Sequence, residues 1–275
     1  MTSVNTNVGA MIALQNLNAT NAQLEMTQSR INTGKKVSSA KDNGAIWAIA
    51  QGQRADIGAL GAVKQSLDRG VAAVDVALAA GETVSDLLLQ MKEKALAATD
   101  SSLKTAARSA LNEDFKALRD QIASVTSNAE FNGVNLLETG ASGFAALANV
   151  SGTSTLTVAA EVMALGSTNV SVSTTQAIDT LSAATASLTA VNDSIDAVSG
   201  ALARLGTSSK ALTTHNTFVG KLTDALEAGV GNLVDADLAK ESAKLQALQT
   251  KQQLGVQALG IANQSPQLVL SLFRN

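Results

Sequence analysis

The sequence has few of the side chains from which active sites are built. Its 275 residues include no cysteine and no tyrosine, and histidine, proline and tryptophan occur once each. Without cysteine the chain forms neither disulfides nor thiol-based sites. It also has no His-Glu-x-x-His zinc motif and no Gly-x-x-x-x-Gly-Lys-Ser/Thr phosphate loop. We therefore predict a protein that is not an enzyme, with no catalytic residues, no cofactor and no metal.

Charge and hydropathy exclude two further classes of partner. The 20 basic and 23 acidic residues give a net charge of −3, which provides no attraction to nucleic acid or to an anionic membrane. No stretch approaches the ~18 uninterrupted apolar residues of a membrane span. The first basic residue is Arg30, so no positively charged segment precedes an apolar core as a secretory signal requires. We expect no nucleic-acid partner, no membrane partner and, if the protein is exported, no cleaved signal peptide.

The apolar residues are mainly aliphatic and recur at helical spacing. Hydrophobic residues make up 45% of the chain and aromatic residues 2%, a composition that favours helix seams over globular cores. The spacing predicts a long helix from Ile46 to Ala98, a second after the Asp100-Ser101-Ser102 cap signal, beginning near Leu103, and a third resuming at Ile178. Pro266 is expected to interrupt the last helix. Periodicity alone leaves an ordinary helical bundle and an assembly protein as equal alternatives.

Between these helices the helical period is lost. After Asn132-Gly133 the sequence becomes rich in Gly, Ser, Thr and Val until about Gln176. Alternation at Thr155–Val158 and again at Val170–Ser173 predicts short strands joined by turns. Near the amino terminus, residues 34–45 also break the helical pattern with Gly and Asx-Gly pairs, which predicts a non-helical connector.

Motifs at both ends resemble those of bacterial flagellins. Residues 30–45, Arg-Ile-Asn-Thr-Gly-Lys-Lys-Val-Ser-Ser-Ala-Lys-Asp-Asn-Gly-Ala, resemble the family's amino-terminal signature, and Leu14-Gln15-Asn16-Leu17 precedes them as it does there. Residues 234–241 and 262–272 resemble the carboxy-terminal motifs, and residues 130–137 resemble the turn after the family's second helix. The resemblance covers about 1–137 and 178–275 and identifies the chain as similar to short alphaproteobacterial flagellins with a minimal central insert.

The resemblance implies a mainly α fold, an elongated bundle of long helices with terminal coiled-coil segments and a small central β-hairpin region. It implies an inner-tube domain from 1–33 and 232–275, a connector at 34–45, a rod domain from 46–137 and 178–231, and a central surface segment at 138–177. The implied function is that of a structural subunit polymerising into the flagellar filament for swimming motility. A hook-filament junction protein, which has similar termini, is the alternative.

The terminal helices carry the predicted polymerisation seam. Each offers a narrow apolar stripe, so we expect both segments, Met1 to about Thr33 and about Asp235 to Asn275, to become helical only on assembly. The seam residues occur in both segments: Leu14, Leu17, Leu24, Ile31, Leu238, Leu245, Leu248, Leu259, Leu268 and Phe273. Val8 and Met11 continue the amino-terminal stripe.

Other polar residues have simpler interpretations. His215 lies three residues after Leu212 and four before Val219, which predicts a half-buried, hydrogen-bonded core histidine. Asp235 and Asp237 are expected as exposed charges at the start of the last helix. The resemblance implies possible O-glycosylation in the central segment, at Thr153, Ser154, Thr155, Ser167, Thr168, Ser171 and Ser173.

The resemblance also implies partners and a location. Neighbouring flagellin subunits form the homopolymer, and the flagellar type III export apparatus with an export chaperone delivers each subunit. Cap and hook-junction proteins are the remaining expected partners. The expected location is the extracellular filament of the bacterial flagellum.

Overall fold

A computed structural model describes residues 6–272, with side-chain environments for residues 6–264. These residues form five long helices and four short strands, which confirms a mainly α fold. The helices are α1 (Val8–Thr33), α2 (Gly44–Ala98), α3 (Thr105–Asn128), α4 (Leu181–Val234) and α5 (Leu238–Leu272). The strands are β1 (Glu130–Phe131), β2 (Val134–Asn135), β3 (Phe144–Leu147) and β4 (Thr155–Val158).

Two helices begin later than the sequence predicts, because side-chain hydrogen bonds hold the residues before them outside the helix. Asp100 Oδ1 accepts a hydrogen bond from the amide of Ser102 at 2.8 Å, which holds a turn, so α3 begins at Thr105 and not at Leu103. The amide of Ile178 donates to Asn112 Oδ1 of α3 at 2.8 Å, outside any helix. Thr180 Oγ1 then accepts from the amide of Ala183 at 3.2 Å, and α4 begins at Leu181.

The predicted interruption of the last helix at Pro266 is wrong. α5 continues through this residue to Leu272. A proline inside a helix removes one amide donor, which leaves the carbonyl four residues earlier without its helical partner. That carbonyl belongs to Ala262, and it accepts a hydrogen bond from Asn7 Nδ2 at 2.7 Å. A side chain from the start of α1 therefore replaces the missing donor.

The strands form two antiparallel pairs. β1 pairs with β2, and β3 pairs with β4 in the register Phe144↔Val158 to Leu147↔Thr155. The strand predicted at Thr155–Val158 is confirmed as β4. The strand predicted at Val170–Ser173 is wrong: Val170 and Val172 are buried, but the amide of Ser171 donates to Ser194 Oγ of α4 at 3.0 Å. The alternation thus reflects packing against a helix and not a β-ladder.

The chain divides into two compact units. The first comprises Met1–Ala55 with Ala225–Asn275, and the second comprises Asp56–Asp224. The second unit has a continuous core in which Phe115, Met91 and Ile122 have no exposed surface. Two contacts in this unit join α2 to α4: Asn216 Nδ2 donates to Asp68 Oδ1 at 2.5 Å, and Ser209 Oγ donates to Asp75 Oδ1 at 3.4 Å.

Candidate assembly interface

In the first unit α1 packs against α5, and three polar links fix the direction of the pair. Beside the bond from Asn7 to Ala262, Gln252 Nε2 donates to Asn21 Oδ1 at 2.8 Å. Arg30 Nη1 donates to Glu241 Oε1 at 3.1 Å. Residues that advance along α1 meet residues that recede along α5, so the helices are antiparallel. The two terminal segments, which the resemblance assigns to one inner-tube domain, therefore pair with one another within one chain.

The α1–α5 pair leaves little room for a side chain at Gly255. A Cβ atom added at Gly255 would lie 3.2 Å from Leu17 Cδ1, which is tighter than most real contacts of this kind. Thr20 and Thr27 of α1 are buried, as are Leu24 of α1 and Leu248 of α5. Small and medium side chains thus allow close approach of the two helices, and only a few apolar residues are enclosed between them.

The connector at 34–45 is tied to the end of α4 by the main chain. Gly34 closes α1 in the left-handed conformation with φ 68°, which is accessible to glycine without strain. The amides of Lys36 and Val37 donate to the carbonyl of Val234 at 2.7 and 3.3 Å. The amide of Ala236 donates to the carbonyl of Gly34 at 2.9 Å. These bonds join the amino-terminal and carboxy-terminal motifs.

A carboxylate and an amide complete the connector. Asp42 Oδ2 accepts hydrogen bonds from the hydroxyl and amide of Ser38 and from the amide of Ser39, each at 2.9 Å. The hydroxyl and amide of Ser38 and then the amide of Ser39 lower the pKa of Asp42 below its ordinary value of 3.8, because they stabilise its ionised form. Asn43 Oδ1 accepts from the amide of Ile46 at 3.1 Å and caps α2.

The predicted seam residues differ widely in exposure. Leu24 and Leu248 are buried, whereas Leu17, Ile31, Leu245 and Leu259 are half-buried. Leu14 and Leu238 keep about half of their surface exposed, at 48% and 49%. The side chain of Leu268 and all of Phe273 lie outside the described environments. The structure therefore separates the residues that the α1–α5 pair encloses from those that it leaves uncovered.

Several uncovered residues were not predicted from the sequence. We define the exposed apolar set as the large apolar side chains of α1 and α5 that are mostly uncovered: Val8, Met11, Ile12, Leu14, Met26, Leu238, Leu254, Val256 and Ile261. The most exposed is Ile261, at 71%. Ile12, Met26, Leu254, Val256 and Ile261 fall outside the predicted seam. Adjacent apolar residues such as Met11 and Ile12 could have indicated this uncovered surface from the sequence, because they place apolar groups on more than one side of a helix.

The central hydroxyls also divide into two groups. Ser154, Thr155 and Thr168 are exposed, and their hydroxyls make no hydrogen bond to any other described residue. Thr153, Ser167, Ser171 and Ser173 already form hydrogen bonds; for example, Ser167 Oγ donates to the carbonyl of Val162 at 3.0 Å.

The remaining polar residues have structural roles. His215 is half-buried and its Nε2 donates to the carbonyl of Ala148 at 2.8 Å, which confirms its interpretation as a core histidine. Asp235 and Asp237 are exposed, as predicted, and Asp237 Oδ1 caps α5 by accepting from the amide of Lys240 at 3.1 Å. Among residues 6–272 no cluster of His, Cys, Asp or Glu side chains is arranged to hold a metal ion. No helix in that range has the length and apolar content needed to cross a membrane.

These features define a class of protein before any relative is considered. Paired terminal helices that leave nine large apolar side chains uncovered are typical of a subunit that is completed by other subunits. The chain is an α-helical assembly subunit.

Comparison with known proteins gives the family. The model of the bacterial flagellin N-terminal helical region matches residues 4–141, and that of the C-terminal helical region matches residues 188–273. The chain is 58% identical to the flagellin FljM of Caulobacter vibrioides, covering 100% of this chain and 99% of that protein. It is 38% identical to a flagellin of Brucella melitensis over the full length of both. The chain belongs to the bacterial flagellins, the structural subunits of the extracellular flagellar filament that drives motility.

One solved structure supports the fold separately. A protein described as a flagellar hook-associated protein from Vibrio parahaemolyticus matches with a TM-score of 0.59, covering 70% of this chain and 100% of that one. Their sequences are 15% identical, so this likeness concerns the fold alone.

Proposed function

We propose that the subunit polymerises through the exposed apolar set of α1 and α5, which neighbouring copies of the chain cover. The observation that carries this proposal is the exposure of Met11, Leu254 and Ile261, at 62%, 59% and 71%. Covering one such side chain is worth about 2 kcal/mol, at ~25 cal/mol for each Å² of apolar surface. Repeated along two helices, this term is the main driving force for assembly.

The contacts within one chain favour a neighbouring subunit as the covering partner. Leu24 and Leu248 are already enclosed by the α1–α5 pair. The exposed apolar set therefore requires surface from outside the described chain. When the contacting surfaces of two copies differ, each added copy presents a fresh surface and an open helical polymer results. We propose that such open contacts transmit the torque of the motor along the filament.

We further propose that the terminal segments fold as they assemble. An isolated helix is marginal in water because its nucleation costs more free energy than the first hydrogen bonds return. The α1–α5 pair encloses few large apolar residues, so packing against neighbours supplies the remaining stabilisation. Unfolded termini also suit passage through the type III export apparatus with an export chaperone, followed by addition beneath the cap protein. Export without a cleaved signal peptide and contact with hook-junction proteins belong to the same proposal.

The compact units suggest the domain assignment. We propose that residues 1–33 and 232–275 form the inner-tube domain of the filament and that residues 46–137 and 178–231 form the rod domain, with residues 34–45 as the connector. The β3–β4 hairpin and the segment that follows would then face outward. Within this segment Ser154, Thr155 and Thr168 are the hydroxyls we propose for O-glycosylation, because they are exposed and form no hydrogen bonds with described residues.

Charge substitutions in the exposed apolar set test the assembly proposal. We expect the Leu254→Asp, Ile261→Asp double variant to form no filaments, because polymerisation would bury two carboxylates among apolar groups. The Gln249→Asp, Gln253→Asp double variant is the matched control, since it places the same two charges at exposed polar positions of the same helix. Filaments are counted by electron microscopy and sedimentation, and circular dichroism checks that the second unit still melts as in the unmodified protein. Normal filaments from the double variant would contradict the proposal.

A further inference from the structure

Pro266 gives α5 a single distinctive acceptor. The chain contains one proline, so only one carbonyl in the interior of α5 loses its helical donor to a proline. That carbonyl, of Ala262, accepts from Asn7 Nδ2 at 2.7 Å in a partly buried contact. Asn7 precedes the first residue of α1, Val8. The start of one terminal helix is therefore bonded to the carbonyl of the other that the proline leaves without a helical donor.

Asn7 uses both ends of its side-chain amide. Its Oδ1 accepts from the amide of Ala10 at 3.0 Å and caps α1. Its Nδ2 donates to Ala262 at the same time. Serine and aspartate also cap helices well, but serine is shorter and an ionised aspartate has no donor. Asparagine combines a cap acceptor and a donor of sufficient length at this position.

We propose that Asn7 is a positioning residue that sets the register of α1 against α5 by supplying the donor that Pro266 lacks. If α1 slipped by one turn along α5, Asn7 would meet a carbonyl near Ala258, which already accepts from the helix. The links from Asn21 to Gln252 and from Arg30 to Glu241 agree with the same register. The carbonyl that Pro266 leaves without a helical donor exists at one position of α5, so the bond from Asn7 is available in one register.

This inference rests on the proposed assembly through α1 and α5, and a four-protein comparison tests it. The proteins are the unmodified chain, Asn7→Ser, Pro266→Ala and the double variant, and the measurement is the subunit concentration in equilibrium with filaments. Asn7→Ser should raise this concentration about fivefold in the presence of Pro266, because the Ala262 carbonyl loses its partner. With Pro266→Ala, which restores the helical amide, the same substitution should change it less than about twofold.

If Asn7→Ser forms no filaments, their return in the double variant demonstrates the same coupling, and their continued absence overturns the inference. Asn7→Asp should behave as Asn7→Ser, since it too retains the cap and lacks the donor. Equal effects of Asn7→Ser with and without Pro266 would mean that Asn7 is only a cap. That result would overturn the inference and leave the assembly proposal intact, because the latter is tested by the Leu254→Asp, Ile261→Asp double variant.

Discussion

The two compact units of this flagellin differ in how their large apolar side chains are covered. In the second unit Phe115, Met91 and Ile122 have no exposed surface. In the first unit Met11, Leu254 and Ile261 each retain more than half of theirs. All of the largest fully buried side chains, within the range that the structure describes, belong to the second unit. The second unit thus encloses its core with its own residues, whereas we propose that the first gains stability from other subunits.

Polar groups show the same contrast. Four side-chain atoms in the described part of the chain are buried without a hydrogen-bond partner, and three of them lie in the first unit: Thr27 Oγ1, Gln53 Oε1 and Glu241 Oε2. The fourth is Asn216 Oδ1 of the second unit. A buried acceptor without a donor costs about 1–3 kcal/mol. The first unit is therefore less complete in its polar contacts as well as in its apolar packing.

Hydrogen exchange should give the largest difference between the units. In the soluble monomer we expect amides of α1 and α5 to exchange at least about a thousandfold faster than those of α3. The amides of α3 can exchange only when the second unit unfolds, which costs its full free energy of unfolding, whereas we expect α1 and α5 to be unfolded in the monomer. After assembly, α1 and α5 should become protected. Mass spectrometry of peptides from monomer and filament measures both states. Slow exchange in both terminal helices of the monomer would refute folding on assembly.

Truncating one core residue in each unit should separate their contributions to stability. Phe115→Ala is expected to lower the monomer's free energy of unfolding by about 3–5 kcal/mol, because a large cavity remains in a closed core. Leu248→Ala should change it by less than about 0.5 kcal/mol and should instead weaken the filament. Denaturant unfolding followed by circular dichroism gives both values. A large loss from Leu248→Ala in the monomer would show that the first unit is already folded there.

Two aspartates offer a smaller, local comparison. The amide and hydroxyl of Ser102 lower the pKa of Asp100 in the second unit, as Ser38 and Ser39 lower that of Asp42 in the first. Each turn is therefore stabilised at pH values above 3.8, and this stabilisation is lost as the pH falls through the lower folded pKa. In the monomer we expect the pKa of Asp100 to be lowered more than that of Asp42, because we propose that the first unit is completed only on assembly. The pH dependence of the carboxyl carbon-13 shifts measures both pKa values. Equal lowering of the two pKa values in the monomer would contradict the expected difference between the units.

The tip of the β3–β4 hairpin should give the smallest effect. Replacing residues 149–153 with Asn-Gly keeps the bond from the amide of Ala148 to the carbonyl of Ser154, and it closes the hairpin with a two-residue turn. The monomer's free energy of unfolding should change by no more than about 0.5 kcal/mol, and filaments should form normally. Thermal melts and electron micrographs provide the comparison. Loss of filaments would place this tip in a subunit contact.

The sequence predicted the helices well because their apolar spacing persists over many turns. It failed at Val170–Ser173, since alternation reports which side chains are buried and not whether the backbone pairs with a strand or packs on α4. It failed at Pro266 because the propensity of proline is local, whereas the donor that replaces its amide comes from Asn7, far away in the chain. Both errors are tertiary effects that no window of sequence contains.

The candidate interface was predicted only in part. Spacing found Leu24 and Leu248, which the α1–α5 pair encloses, because a seam is a regular stripe. It did not include Leu254 and Ile261, which the structure leaves exposed, since exposed apolar side chains need not follow the stripe that pairs helices within one subunit. Separating the two groups requires knowing which side of each helix the partner helix covers, and exposure supplies that information.

The main-chain bonds from Lys36 and Val37 to Val234 have a consequence for how the protein can change. Most of the sequence lies between these two bonded positions. The chain from Lys36 to Val234 is therefore a loop whose two ends are joined by hydrogen bonds. Lengthening a closed loop costs little conformational entropy, about 0.6 kcal/mol for each doubling of a flexible segment. Extra sequence inserted at the hairpin tip would leave the base of the loop in place. The main-chain bonds from Lys36 and Val37 to Val234 therefore allow subunits of very different length to share one set of terminal contacts.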